Sequence, residues 1–225
     1  MKKVLTIDAV SDFVSPWCYI AHQRLARSLA RLQGAAEPTL RWAPFELHPA
    51  IPKHGLKLEE YLRGLFGSAS AARPLLAELT AAGEKDGIRF QFDRVRSVPN
   101  TRDAHRLILH AEREGRADAV ARGLVSGFLE EGRDIGEAGV LADVAADAGL
   151  DRGDVRAYLE GTDGNEEVRR RESEARLAGF AGVPAFVFNE RVAVLGAAEP
   201  ETFLEAIDQA LFHELPESPS PGQLH

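Results

Sequence analysis

Apolar positions in the first fifty residues change period twice. Leu5 to Val10 is a short, largely apolar run of strand length. After a turn, Ile20, Leu25, Leu29 and Leu32 recur at helical spacing in a pattern that begins at Tyr19 and ends at Gly34. Thr39 to Phe45 reads as a second strand, closed by the region of Pro44 and Pro49. Together these segments predict one βαβ unit. Its chemistry is expected at the carboxyl end of the first strand, beside the helix N-terminus.

From about Lys57 to Glu160 strand signals nearly vanish and helical patterns take over. The clearest is Ala104, Leu107, Ile108 and Ala111, opened by the capping residues Asn100 and Thr101, with Asp103 in the first turn. Further helices are expected over 58–66, 73–86, 117–130, 139–148 and 154–159. Gly67 to Ala72 reads as the most flexible connection. A polar helix over 165–178 leads to two apolar runs, Val183 to Phe188 and Arg191 to Leu195, separated by Asn189-Glu190 as a hairpin turn. Pro200 to Phe212 reads as a closing amphipathic helix. The expected division is a discontinuous α/β domain over 1–56 and 161–214, a helical insertion over 57–160 and a Pro-rich flexible tail over 215–225. One shared core requires the Leu5 strand to lie between the Thr39 strand and the hairpin.

Composition narrows the possible partners. The chain has 225 residues, a formal charge of −8 and 44% hydrophobic residues, ordinary for a globular protein. An acidic balance opposes nucleic-acid binding, which needs a basic surface to displace counterions. Arg169, Arg170 and Arg171 are flanked by Glu166, Glu167, Glu172 and Glu174 and read as a solvated helix face. No run approaches the roughly 18 apolar residues of a membrane span, and acidic residues interrupt the first apolar stretch before a signal sequence forms. With a single cysteine and no internal disulfide, a cytoplasmic setting is expected. The seven histidines lack metal-binding spacing, so no metal site is expected. Neither nucleotide-binding glycine motif occurs.

The chemical signal is Ser15-Pro16-Trp17-Cys18 at the strand-to-helix turn. It is a C-x-x-C turn whose first cysteine is serine. In a redox site the first thiolate attacks a disulfide and the second thiol resolves the mixed disulfide. This chain keeps the resolving position and lacks the nucleophile.

With that turn, and with Gly-Val-Pro-Ala-Phe-Val-Phe over 182–188 opening a late hairpin, the chain resembles the DsbA-like branch of the thioredoxin superfamily. It is most similar there to the FrnE-type oxidoreductases, the 2-hydroxychromene-2-carboxylate isomerases and the kappa-class glutathione transferases. The resemblance extends through Pro44-Phe-Glu-Leu-His-Pro49, Asn100-Thr101 with Ala104-His105-Arg106, and Gly196-Ala-Ala-Glu-Pro200. It implies a thioredoxin-like α/β fold with a large all-helical insertion. FrnE-type members carry Cys-Pro-Trp-Cys, whereas the isomerase and transferase relatives carry a serine first and use glutathione. The chain combines the serine of one group with the Trp-Cys of the other.

The resemblance implies a catalytic set of Ser15, Cys18 and Pro184, the last preceded by a cis bond from Val183 and facing the active-site turn. Ser15 is expected to donate a hydrogen bond to a bound thiolate at the positive end of the helix. Cys18 is expected to be a buried thiol, with exchange as a monothiol the alternative. His22, one helical turn on, is positioned to approach its sulfur. Substrate contacts are expected from Pro16, Trp17 and the Val183 backbone. Asn100 and Thr101 are expected either to cap a helix or to reach over the cleft, and Ala197 and Ala198 to offer amides to a carboxylate. No tightly bound cofactor is expected, with glutathione as a cosubstrate. Three functions fit: a thiol-disulfide or glutathione-linked oxidoreductase, a glutathione-dependent isomerase or transferase, and a non-catalytic peptide-binding scaffold. The expected partner is a small thiol, a peptide or a protein disulfide, bound by a monomer or homodimer.

Overall fold

A computed structural model describes residues 3–32, 34 and 36–212. The chain runs β1 (Lys3–Ser11), α1 (Pro16–Ala30) and β2 (Ala36–Pro44), with β1 and β2 parallel from Lys3↔Ala36 to Ser11↔Pro44. The helix begins three residues earlier than its apolar periodicity predicts. Ser15 caps it, its Oγ accepting from the Cys18 amide at 3.3 Å, and Pro16 occupies the first turn, where a missing N–H costs nothing. β2 likewise begins ahead of Thr39 and runs through Pro38. It is an edge strand, the position where a proline is tolerated.

β5 (Ala185–Phe188) and β6 (Val192–Leu195) complete a sheet of order β2-β1-β5-β6, with the Leu5 strand between the Thr39 strand and the hairpin as expected. Asn189 and Glu190 form the turn with φ of 49° and 58°, the left-handed pair that a tight hairpin requires. Asn189 also accepts the Thr6 amide at 2.8 Å and so fastens the hairpin to β1. α9 (Pro200–Phe212) packs beside α1 over one sheet face, around Leu5, Ile7, Leu25, Phe186 and Phe203.

Between β2 and β5 come α2 (Leu58–Phe66), α3 (Arg73–Lys85), α4 (Arg102–Arg113), α5 (Ala117–Leu129), α6 (Ala138–Asp147), α7 (Arg152–Glu160) and α8 (Asn165–Leu177). The only strand there among the described residues is a two-residue pairing of β3 (Leu56–Lys57) with β4 (Ser97–Val98). The Gly67 connection folds as a 3-10 turn over Ala69–Ala72, capped by Ser68. The core of this helical region runs without a break into Phe13, Val14, Ile20 and Trp42 of the βαβ unit.

One surface expectation is corrected. Arg169 and Arg170 pair with Glu166, Glu167 and Glu174 in solvent, but Glu172 is buried, accepting the Glu46 amide at 3.1 Å and an Arg176 N–H at 2.8 Å. Periodicity cannot reveal this, because the partner amide lies 126 residues away. The proposed tail over 215–225 lies outside the described residues.

Candidate active site

The turn from Asp12 to Cys18 sits where β1 ends and α1 begins. Ser15 lines one wall of an apolar cavity of about 290 Å³, together with Val14, Pro16 and Trp17. The opposite wall is the helical region. α2 turns Leu58, Tyr61, Leu62 and Leu65 toward the cavity at helical spacing, and Leu76, Leu79, Phe92, Val98 and Phe128 close it. α2 buries none of its residues, so the cavity is what its apolar stripe faces.

Cys18 lies behind Ser15 with 1% of its surface exposed. Burial pushes its thiol up to about 12, and the charge of Asp12 adds to this against opposing hydrogen bonds from Ser15 and Ser11. Burial thus disfavours its thiolate at neutral pH and shields the sulfur from solvent. His22 meets it only through a third group. The imidazole Nε2 is 2.8 Å from Ser11 Oγ, and the ring stacks on Trp42 with centroids 4.5 Å apart.

Burial also lowers the His22 pKa, to about 3. The unfolded chain therefore takes up a proton near the ordinary histidine value that the folded chain refuses. Stability is present above about pH 6.5 and lost as pH falls toward 3. Urea titrations from pH 7 to pH 4 should show a falling midpoint whose slope His22→Gln flattens; an unchanged slope would mean that His22 is protonated in the folded state.

Asp12 is a site residue that motif reading passed over. Its side chain is inaccessible, Oδ1 accepting the Phe13 amide at 2.8 Å and Oδ2 the Leu47 amide at 2.7 Å. His105 Nε2 lies 3.4 Å from Oδ1. Asp12 thus joins the turn before Ser15 to the segment after β2. Glu46 in that segment receives Arg102 from α4, and Arg176 lies over the Phe45 ring at 4.1 Å while donating to the Glu46 carbonyl. These contacts place His48, whose Nε2 is 2.6 Å from the Tyr61 hydroxyl beside the cavity. The one sequence signal for Asp12 is an acidic residue inside the apolar run Val10 to Val14.

The remaining expected residues fall into three groups. The sheet register pairs Val10 with Ala185, which carries Val183 and Pro184 past the end of β1 from which Asp12 to Ser15 continue; the Val183–Pro184 bond is cis. Asn100 and Thr101 stand outside the apolar cavity. The Asn100 amide nitrogen donates to the Ile51 carbonyl at 2.8 Å and its oxygen accepts from the Arg102 amide, while Thr101 is buried at the start of α4. The Ala197 and Ala198 carbonyls accept from Arg24, at 2.8 and 3.4 Å, and the Gly196 amide donates to the Pro184 carbonyl at 2.8 Å.

A serine capping the first helix after a central strand, with a proline loop on the neighbouring antiparallel strand, is the arrangement of a thioredoxin-like fold. The family model of the DSBA-like thioredoxin domain matches residues 6–208, and the chain belongs to that family. The chain is similar to a probable DsbA oxidoreductase from Streptomyces coelicolor, with 29% identity over 95% of this chain and 93% of that one and a TM-score of 0.85. A 2-hydroxychromene-2-carboxylate isomerase shares its fold at 18% identity and a TM-score of 0.69, covering 91% of this chain and 95% of that one. So does the cytosolic disulfide reductase DsbM from Pseudomonas aeruginosa, solved with GSH, at 22% identity and a TM-score of 0.60, covering 91% and 95%. Among the described residues no cluster of three or more histidine, cysteine or acidic side chains is placed to hold a metal, and no helix is long and apolar enough to cross a membrane.

Proposed function

We propose that the protein is a thiol-dependent enzyme that converts a small apolar molecule, with glutathione as the thiol and Ser15 as its hydrogen-bond partner. One observation carries this reading: Ser15 lines an apolar cavity, while Cys18, the only thiol of the chain, is neutral and shielded. Ser15 Oγ accepts the Cys18 amide and keeps its own proton free to donate. A thiolate seated there meets the positive end of α1, which favours the anion and lowers the thiol pKa. An external thiol then supplies the nucleophile that the sequence lacks, and the cavity holds the molecule it attacks or isomerises. The reading is further supported by relatives of both kinds, an isomerase and a reductase solved with GSH.

Calorimetric titration with glutathione, together with the ultraviolet absorbance of its thiolate, tests the proposal. The protein should bind glutathione and show thiolate at neutral pH. Ser15→Ala should weaken binding by about tenfold, the scale of one lost hydrogen bond to an ion, and abolish the thiolate signal. Absence of binding, or a thiolate signal that survives Ser15→Ala, would refute it.

A further inference from the structure

The cavity beside Ser15 carries polar groups sparsely and in one place. Among the described residues that line it, only Ser15, Trp17, His48 and Tyr61 have a polar side-chain atom, and none is a lysine or arginine. Ser15 and Trp17 belong to the turn that begins α1. His48 and Tyr61 come from the segment after β2 and from α2, and their Nε2 and hydroxyl lie 2.6 Å apart. The Tyr61 ring meets the His48 ring edge to face, with centroids 4.9 Å apart.

We propose that the His48–Tyr61 pair is the specificity element of this cavity, and that it selects an apolar, aromatic-sized molecule bearing one neutral carbonyl oxygen, which accepts the Tyr61 hydroxyl. The inference rests on the reading of this cavity as the substrate site. It follows from what the pair can offer. In the tautomer that carries its proton on Nε2, His48 donates to the phenol oxygen and leaves the Tyr61 proton to point into the cavity, where leucine, valine and phenylalanine side chains offer no acceptor. Tyr61 is half-buried, and a ligand that covers it removes water from this donor; a ligand with an acceptor is therefore favoured over an equally shaped hydrocarbon.

The same surroundings disfavour a charged oxygen. Burial lowers the pKa of His48 and raises that of Tyr61 to about 12, so both groups are neutral near pH 7. The buried carboxylate of Asp12 is close enough to act on the titration of both, and a second negative charge would be repelled by it with no cation in the lining to offset it. Beside this pair a carboxylate is therefore disfavoured relative to a ketone.

Three naphthalene probes of matched shape separate these effects: 2-acetylnaphthalene, 2-ethylnaphthalene and 2-naphthoate, titrated at neutral pH and followed by probe fluorescence. The ketone should bind about tenfold more tightly than the ethyl compound, and naphthoate more weakly than either. Tyr61→Phe should bring the ketone down to the ethyl compound while leaving the latter unchanged. Equal binding of ketone and ethyl compound to the unmodified protein, or a preference for the ketone that persists in Tyr61→Phe, overturns the assignment, as does naphthoate binding best. Because the first comparison is made within the unmodified protein, it does not depend on the variant folding. Glutathione binding is read separately, so loss of the ketone preference with intact, Ser15-dependent glutathione binding refutes this inference alone. Failure of glutathione to bind refutes the thiol reading while the probe ratios still report on the pair.

Discussion

Ser15→Cys is expected to turn a protein with near-background disulfide reductase activity into a working dithiol catalyst, a gain on the order of a hundredfold or more. The wild-type chain cannot complete the cycle. Ser15 has no base among its hydrogen-bond partners, and a serine without one is a poor nucleophile. Cys18 is neutral at pH 7 and withdrawn from solvent. A cysteine at position 15 would sit at the N-cap of α1, where the helix stabilises its thiolate. It would also stand one helical turn from Cys18, within the separation that a disulfide spans. Shielding from solvent does not shield Cys18 from residue 15, since its amide already bonds to that side chain. Insulin reduction driven by dithiothreitol is the measurement. Comparable rates in the two proteins would mean that Cys18 reacts alone and that its environment has been misjudged.

The second large effect concerns stability. Arg106 is 1% exposed and uses its whole guanidinium fork. Nε donates to the Asp163 carbonyl at 2.7 Å. Nη1 donates to Asp103 Oδ1 at 2.7 Å and to the Leu159 carbonyl at 3.2 Å, and Nη2 donates to the carbonyls of Tyr158 and Gly161 at 2.9 and 2.8 Å. Five N–H groups thus meet five acceptors. Four of these are backbone carbonyls at and just after the end of α7, groups that a helix leaves without internal partners. Arg106→Met preserves most of the apolar stem and strands those carbonyls, for an expected loss of about 3–5 kcal/mol. Arg106→Lys, with three donors and no fork, should recover only part of it. Urea denaturation with a shared slope provides the check, and a loss below about 1 kcal/mol in the methionine variant would show that water replaces the guanidinium without penalty.

Legibility in the sequence followed the range of the contacts involved. α2 matches its expected limits, and α9 runs as expected from Pro200 to Phe212, because apolar spacing and the prolines and glycines at their ends are local signals. The order of the sheet followed from one shared core. The turn at Ser15 was legible as a site because four adjacent residues carry it. What stayed hidden depends on partners far along the chain. Leu58, Tyr61, Leu62 and Leu65 have the spacing of an ordinary core stripe, and only the fold shows that they face a cavity. His48 meets Tyr61 13 residues on, and Arg106 meets its carbonyls more than 50 residues on. Asp12 became visible as a hub only once the Leu47 amide and His105 were in place around it. Asn100 carried two readings at once, capping residue and cleft residue, and both ends of its amide are used in the framework.

The unbroken core that joins the helical region to Phe13, Val14, Ile20 and Trp42 bears on how such proteins can be rebuilt. An inserted helical region with a core of its own could be exchanged between relatives as a cassette, cut where it leaves the sheet and where it returns. Here the cut would pass through packed side chains. Residues 57–160 moved to another thioredoxin-like frame would present an apolar surface shaped for Phe13 and Trp42, and the frame left behind would expose those rings. A successful chimera must carry the first strand-to-helix turn along with the helices. The residues at positions 13 to 18 and the helical region are therefore one unit of design, although residues 19–56 of the chain lie between them.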